Sequence, residues 1–306
     1  MSPYGDFDTD CLVVGGGPAG LIAATYLGRF RRRVLVIDGG TSRARWIPVS
    51  HNMPGFPDGI SGRRLLERLH RQADVYGASF ASGRITALTP VPGGFEAAGD
   101  GGILRARRVI LATGVLDKPP PVSALDAAIA TGRVRLCPVC DGYETAGRSV
   151  AVLGPPERAL KEALFITAYT DRLTLLRLGE HRPLDDDLLD RARAAGIRAE
   201  RVPVLTLDPA GDGIAATLED GRVLPFDTLY PALGITPVSG LAEALGARTA
   251  PTGCIEVDAH QQTTVPGLYA AGDVVNELNQ ISVAAGHAAI AATHVHNALS
   301  AEDRRA

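Results

Sequence analysis

Two groups of residues carry chemistry by their types and spacing. Cys137-Pro138-Val139-Cys140 sets two thiols three positions apart, and Asp141 follows at once. Thiols at that spacing can close a small disulfide, and one of the pair usually ionises easily. Half of a zinc site is a competing reading, and a pair of inert core cysteines is another. Zinc takes four ligands, yet Cys11 and Cys254 each stand alone, so the residues favour a redox dithiol. The second group is Gly15-x-Gly17-x-x-Gly20. In such a loop the first glycine makes a tight turn, the second admits a pyrophosphate, and the third lets helix and strand pack closely. Asp38 stands 23 residues after Gly15, where an acid bonds a ribose hydroxyl. The alternative is a purely structural turn, and the surrounding pattern argues against it.

The elements that must position these groups are legible. Residues 10–14 read as a buried strand, 18–30 as an apolar-periodic helix, and 33–38 as the next strand, ending in Asp38. That is a βαβ unit around the glycine loop. Residues 61–76 predict an amphipathic helix capped by Ser61. Short meandering strands follow over 79–105, then a strand over 108–112 that runs into Ala112-Thr113-Gly114. Beyond the linker Pro119-Pro120-Pro121 the order repeats: strand 149–153, a turn at Gly154, helix 157–169, strand 172–178, a helix near 185–195, and short strands through 201–232. Ala232-Leu233-Gly234 echoes Ala112-Thr113-Gly114. The period is far too long for a solenoid, so a duplicated domain is expected. Residues 253–273 return to turns and strands, 281–298 predict an Ala-rich helix, and 300–306 predict a frayed tail.

The 306 residues suit two α/β domains. Lys and Arg total 31 against 34 Asp and Glu, so no basic field draws nucleic acid or an anionic membrane. The uncharged run 11–28 is broken by five glycines and Pro18, which excludes a spanning helix, and the acidic residues before it differ from a signal peptide. Cytoplasm is the expected compartment.

Five segments in order resemble the low-molecular-weight thioredoxin reductase family of flavoproteins. They are Gly15–Gly20, Ala112-Thr113-Gly114, the C-x-x-C-D of 137–141, Gly234-x-x-Pro237, and Gly267-Leu268-Tyr269-Ala270-Ala271-Gly272-Asp273. The resemblance covers about residues 9–298. It implies two Rossmann-like three-layer domains, one inserted in the other. Residues 1–116 and 247–306 would bind FAD, and 117–246 would form a pyridine-nucleotide-like domain carrying the dithiol. It also implies that Gly15, Gly17 and Gly20 hold the FAD pyrophosphate and Asp38 its adenosine ribose. Thr113, Gly114 and Gly272 would complete that site, and Asp273 would bond the ribityl chain. Asn52, Gln280 and Ile281 would lie at the flavin. Cys140 would be the flavin-proximal thiol, Cys137 the exchanging one, and Asp141 the proton donor and acceptor. The implied partner is a thioredoxin-like protein or a small dithiol or disulfide, and the implied assembly a homodimer.

Two departures bear on the electron source. The second loop reads Gly154-Pro155-Pro156-Glu157-Arg158-Ala159, where Pro156 brings bulk and no N–H, and Glu157 brings negative charge to a helix start. Arg177-Leu178-Gly179-Glu180 keeps one cation where the family clusters several for the NADPH 2′-phosphate. Weak or lost NADPH use is therefore expected, and the alternative is an ordinary NADPH-dependent reductase. The second departure is Ser50-His51-Asn52-Met53-Pro54-Gly55-Phe56-Pro57, where His51 reads as a structural histidine more readily than an acid or base. Glu144 could assist Asp141, but reads more readily as a surface carboxylate. His294 and His296 do not share a helix face, which argues against a metal. A non-catalytic FAD-bound redox sensor is the rival of another class, and the adjacent Asp141 argues against it.

Overall fold

The computed structural model describes residues 8–275 and 278–305. The chain forms two compact units. One comprises the residues up to Arg45, Ser61–Leu116 and everything from Thr236 onward; the other comprises Trp46–Ile60 and Asp117–Ile235. The return crossing falls near 236, earlier than the expected 247, and the loop 46–60 clusters with the second unit.

In the first unit Thr9–Val14 is buried along its whole length, as a strand with both faces covered must be. It pairs in parallel with Val34–Asp38 on one side and with the second half of Gly102–Leu111 on the other. Ser79–Ser82 adds a further parallel strand beyond Val34–Asp38. The free edge of Gly102–Leu111 is shared: its first half pairs antiparallel with Gly94–Gly99, and its last three residues pair in parallel with Leu268–Ala270. Alternation along the strands then sorts the core. Cys11, Val13, Val34, Val36 and Ile110 face a layer built from the helices Pro18–Arg29 and Ile281–Asp303. Leu12, Val14, Ile37, Val109 and Leu111 face the layer that includes Phe95, Ala242, Ile255 and Leu268.

The second unit repeats the scheme. A four-stranded parallel sheet runs in the order Arg198–Ala199, Leu173–Leu176, Val150–Leu153, Thr228–Pro231. The helices Pro156–Ile166 and Asp186–Ala194 pack on one face, and an antiparallel trio, Val204–Ala210, Gly213–Leu218 and Val223–Phe226, covers the other. The expected Ser61 cap is present, with Ser61 accepting from the Arg64 N–H at 3.3 Å, and Asp185 caps its helix in the same way, accepting from the Leu188 N–H at 3.0 Å.

The expected frayed tail is corrected. The last helix runs on to Asp303, because Arg32 bonds Asp303 at 2.6 Å and Ser300 at 2.6 Å, and Arg107 bonds Asp303 at 2.8 Å. These charge-assisted contacts tie the helix end to the first strand layer. No helix among the described residues is long and apolar enough to cross a membrane.

Candidate active site

The first glycine loop is shaped by backbone, not by side chains. Gly15 has φ +113°, and a Cβ there would overlap the Ala112 carbonyl oxygen; a Cβ on Gly20 would overlap the Gly15 carbonyl oxygen. Both positions are closed to any other residue. Gly17 differs. A Cβ there would meet only the Ser42 side chain, with Oγ at 3.3 Å, so no backbone closes the position and a small shift of that hydroxyl would admit it. Gly17 caps the helix Pro18–Arg29 without a side-chain acceptor, and no acid stands in the first turn. The positive end of the helix thus meets an open crest, which suits an anion. Asp38 leans over the loop, with its Cγ 2.5 Å from where a Gly16 Cβ would stand, and Asp38 Oδ1 accepts from the Gly40 N–H at 3.1 Å.

The other predicted residues of this unit gather on the same strand ends. Thr113 Oγ1 donates to the Val238 carbonyl at 2.7 Å, and the Val238 N–H donates to the Gly114 carbonyl at 3.0 Å. Gly272 has φ +85°, and a Cβ there would press on Ala19 Cβ at 2.9 Å, so the close approach to the helix Pro18–Arg29 needs glycine. Asp273 Oδ2 lies 4.0 Å from Arg43 Nη1. Gln280 is the cap residue and Ile281 the first residue of the helix Ile281–Asp303. An open glycine crest, an uncapped helix start and an acid at the neighbouring strand end fit a dinucleotide cofactor in these residues.

In the second unit Cys137 and Cys140 form a disulfide, with Cα atoms 5.2 Å apart. This answers the zinc reading, since the two sulfurs bond each other. Pro138–Asp141 is a single helical turn, and Cys137 Sγ accepts from the Cys140 N–H at 3.2 Å. Both cysteines are half-buried, whereas the free Cys11 and Cys254 are buried; burial pushes the Cys11 thiol far up, which leaves it inert. Asp141 Oδ1 accepts from the Tyr230 hydroxyl at 2.8 Å, and Oδ2 lies 3.1 Å from Arg135 Nη1. Burial pushes the Asp141 carboxyl above the usual range, with Glu144 adding to the rise, against the opposing pull of Arg135 and Tyr230. A carboxyl held between these influences can both take up and release a proton.

The disulfide thus adjoins a half-buried carboxyl, in a chain whose other unit carries the first glycine loop. The family model for pyridine nucleotide-disulphide oxidoreductases matches residues 9–288. The chain belongs to that family. It is, with its relatives, an FAD-dependent disulfide oxidoreductase of the thioredoxin reductase type. The thioredoxin reductase of Treponema pallidum (strain Nichols) is 30% identical over 301 residues, covering 93% of this chain and 95% of the relative. Among solved structures, HlmI is 29% identical with a TM-score of 0.88, covering 97% of this chain and 94% of its own. The thioredoxin reductase of Streptococcus pyogenes MGAS5005 is 26% identical with a TM-score of 0.86, covering 96% and 98%.

Against this family background the second glycine loop is altered. Gly154 keeps its place, since a Cβ there would meet the Ala232 carbonyl oxygen at 2.5 Å. Pro155 caps the helix and Pro156 is its first residue, so two consecutive positions lack an N–H. Glu157 is not a bare charge, as sequence alone implied. Arg191 bonds it at 3.0 and 3.1 Å, and Arg182 lies 3.6 Å away. Arg177 is committed to its own chain, donating to the carbonyls of Arg201, Leu178 and His181.

The loop 46–60 is closed by Ser50 and Ile60, whose backbones pair at 2.8 and 3.1 Å. Within it Asn52 Nδ2 donates to the Val139 carbonyl at 3.4 Å, which puts Asn52 against the dithiol turn. His51 is exposed and packs over Gly59. Its place is a loop-packing one. His294 stacks on His260 and meets the Tyr269 hydroxyl at 3.0 Å, while His296 stacks on Phe30, so the two histidines point to different neighbours.

Sequence reasoning missed Arg135 and Tyr230 and underrated the burial of Glu144. Arg135 precedes the dithiol by two residues, which is a positional hint; Tyr230 lies in a strand and gave no motif signal. The Glu144 Oε2 is buried without a partner among the described residues, unlike a surface carboxylate. His287 bonds the Gly272 backbone, and burial lowers its basicity.

Proposed function

We propose that this protein exchanges two electrons between a bound FAD and a dithiol or disulfide substrate through Cys137 and Cys140, with NADPH at most a poor donor. The observation that carries the reading is the Cys137–Cys140 disulfide held beside Asp141 in a chain that also builds the open Gly17 crest. FAD supplies the reversible two-electron chemistry that thiols alone lack toward a nicotinamide or oxygen. The chain's own residues do the rest. Gly15, Gly17 and Gly20, with the helix start behind them, would hold the pyrophosphate, and Asp38 a ribose hydroxyl. Thr113, Gly114, Gly272, Asp273, Gln280 and Ile281 would line the remainder of that site. In this reading the unit containing both chain ends binds FAD, and the Asp117–Ile235 unit presents the dithiol.

The substrate is a thioredoxin-like protein or a small dithiol, as the thioredoxin reductases it resembles indicate. Exchange needs an attack on Cys137 and a departing thiolate at Cys140, and Asp141 would carry the proton between them. The adjacent acid distinguishes this from a passive flavin-bound sensor. On the family resemblance we also expect a homodimer in the cytoplasm, which sedimentation of the purified protein checks for assembly. The doubt over NADPH rests on Pro155, Pro156 and the committed Arg177 in the second loop. Anaerobic titration of the yellow protein with NADPH, NADH and dithiols tests the function: a dithiol should bleach the flavin stoichiometrically. A colourless protein that cannot be reconstituted with FAD would sink it.

A further inference from the structure

The neighbours of Asp141 carry an inference that rests on its proposed proton-transfer role. Each of its two carboxylate oxygens has a different internal partner, the Tyr230 hydroxyl at 2.8 Å and Arg135 Nη1 at 3.1 Å. Two donors on two oxygens fix the plane of the carboxylate as well as its position. The donors are themselves placed by one backbone register. Val134 bridges Leu229 in parallel, the Leu229 N–H donates to the Arg133 carbonyl at 2.8 Å, and the Arg135 N–H donates to the Leu229 carbonyl at 2.9 Å. That register puts Arg135 and Tyr230 side by side under the helical turn Pro138–Asp141.

Tyr230 is fully buried in the strand Thr228–Pro231. A phenylalanine would fill that volume without a polar atom to satisfy, so a hydroxyl there has its reason in the partner it meets. We propose that Tyr230 and Arg135 are positioning residues that orient the Asp141 carboxylate and set the acidity at which it carries the exchange proton. Three groups face Asp141: Arg135 and Tyr230 favour the carboxylate, and Glu144 on the following turn opposes it. Burial and the Asp141 charge hold the Tyr230 hydroxyl protonated, so it serves as a donor and not as a second base.

One thiol of a dithiol donor loses its proton to Asp141 and its sulfur bonds Cys137, while the Cys137–Cys140 bond breaks and Cys140 leaves with the electron pair. Asp141 returns the proton to Cys140. The donor's second sulfur then displaces Cys137, its proton passing to the departing Cys137 thiolate, so the donor ends as a disulfide and the protein as a dithiol.

The test uses the purified flavin-containing protein and dithiothreitol. Reduction of Cys137–Cys140 is followed across pH by acid quench and counting of alkylated thiols. Variant and wild type are compared as a ratio, in which the donor's own ionisation cancels. Tyr230→Phe and Arg135→Gln should lower the ratio on the acid side by about 10-fold, the size of one charge-assisted hydrogen bond, and recover toward alkaline pH. Arg135→Lys should restore part of the loss. In an Asp141→Asn background neither change should alter the profile. Ratios flat with pH for both variants, with Asp141→Asn still slow, would overturn the inference and leave the Asp141 role standing. Asp141→Asn as fast as wild type would instead remove the role on which it rests. If Tyr230→Phe fails to fold by circular dichroism, the Arg135→Gln and Arg135→Lys pair decides alone.

Discussion

The two glycine loops have one ancestry of shape and opposite chemistry. Each follows a buried parallel strand, each begins with a glycine pressed against a carbonyl, and the Gly15 and Gly154 N–H groups donate to the strand partners Ile37 and Leu176 at 2.9 and 3.1 Å. They part at the helix start. The first offers Gly17 with no backbone closing it and no acid in its first turn. The second offers Pro155 and Pro156, then Glu157 already held by Arg191. Ala159, buried in the core, replaces the glycine that the first loop needs where Gly20 meets Gly15. The strand and helix of such a scaffold are kept by core packing, while a ligand would depend on a few atoms at the crest, so the crest can change with the scaffold intact.

That contrast can be broken most severely at Gly17. Gly17→Leu should leave the chain folded, since no backbone closes the position, yet weaken FAD by at least roughly 100-fold through collision with the pyrophosphate. Flavin absorbance after gel filtration, with circular dichroism as the folding control, checks this. Asp141→Asn should slow dithiol-driven exchange by roughly 10²-fold, the usual loss for a positioned acid or base, while flavin content stays at one per chain as read by absorbance. A smaller effect is expected from rebuilding the second loop. Replacing Pro155 and Pro156 by glycine restores two N–H groups and should tighten NADPH by about 10-fold, measured by fluorescence titration. The smallest belongs to Glu157→Gln. Its charge is shared with exposed arginines, and such surface pairs are worth under about 1 kcal/mol, so NADPH affinity should move by less than about 5-fold. A large gain there would show that repulsion, and not the lost N–H groups, closes the loop.

The first unit was legible because its signals are local. The fingerprint Gly15–Gly20, the acid at Asp38 and the Ser61 cap each depend on residues close in sequence, and the strand alternation follows from a fixed period of two. The dithiol and Asp141 were legible for the same reason. Arg135 and Tyr230 were not, because they reach Asp141 through a bridge between residues 134 and 229 that no local pattern encodes. The tail was misjudged on similar grounds: Glu302 and Asp303 look like a solvated end until Arg32 and Arg107 from distant strands and loops meet them. Glu157 shows the reverse error, a charge read as bare whose partner Arg191 lies a helix away.

The electron source is tested most directly by comparing two donors on the same protein. The oxidised protein is mixed anaerobically in a stopped-flow instrument with NADPH and, separately, with a dithiol, and flavin bleaching is followed at a series of concentrations. One lost N–H contact to the pyrophosphate at the Pro156 turn and one lost cation for the 2′-phosphate, at about 1.5–3 kcal/mol each, should raise the NADPH dissociation constant by roughly two to four decades. NADPH should then bleach the flavin slowly and without saturating at micromolar concentration, while the dithiol bleaches it fully through Cys137 and Cys140. Fast reduction that saturates at micromolar NADPH would contradict the account and make the second loop a working nucleotide site.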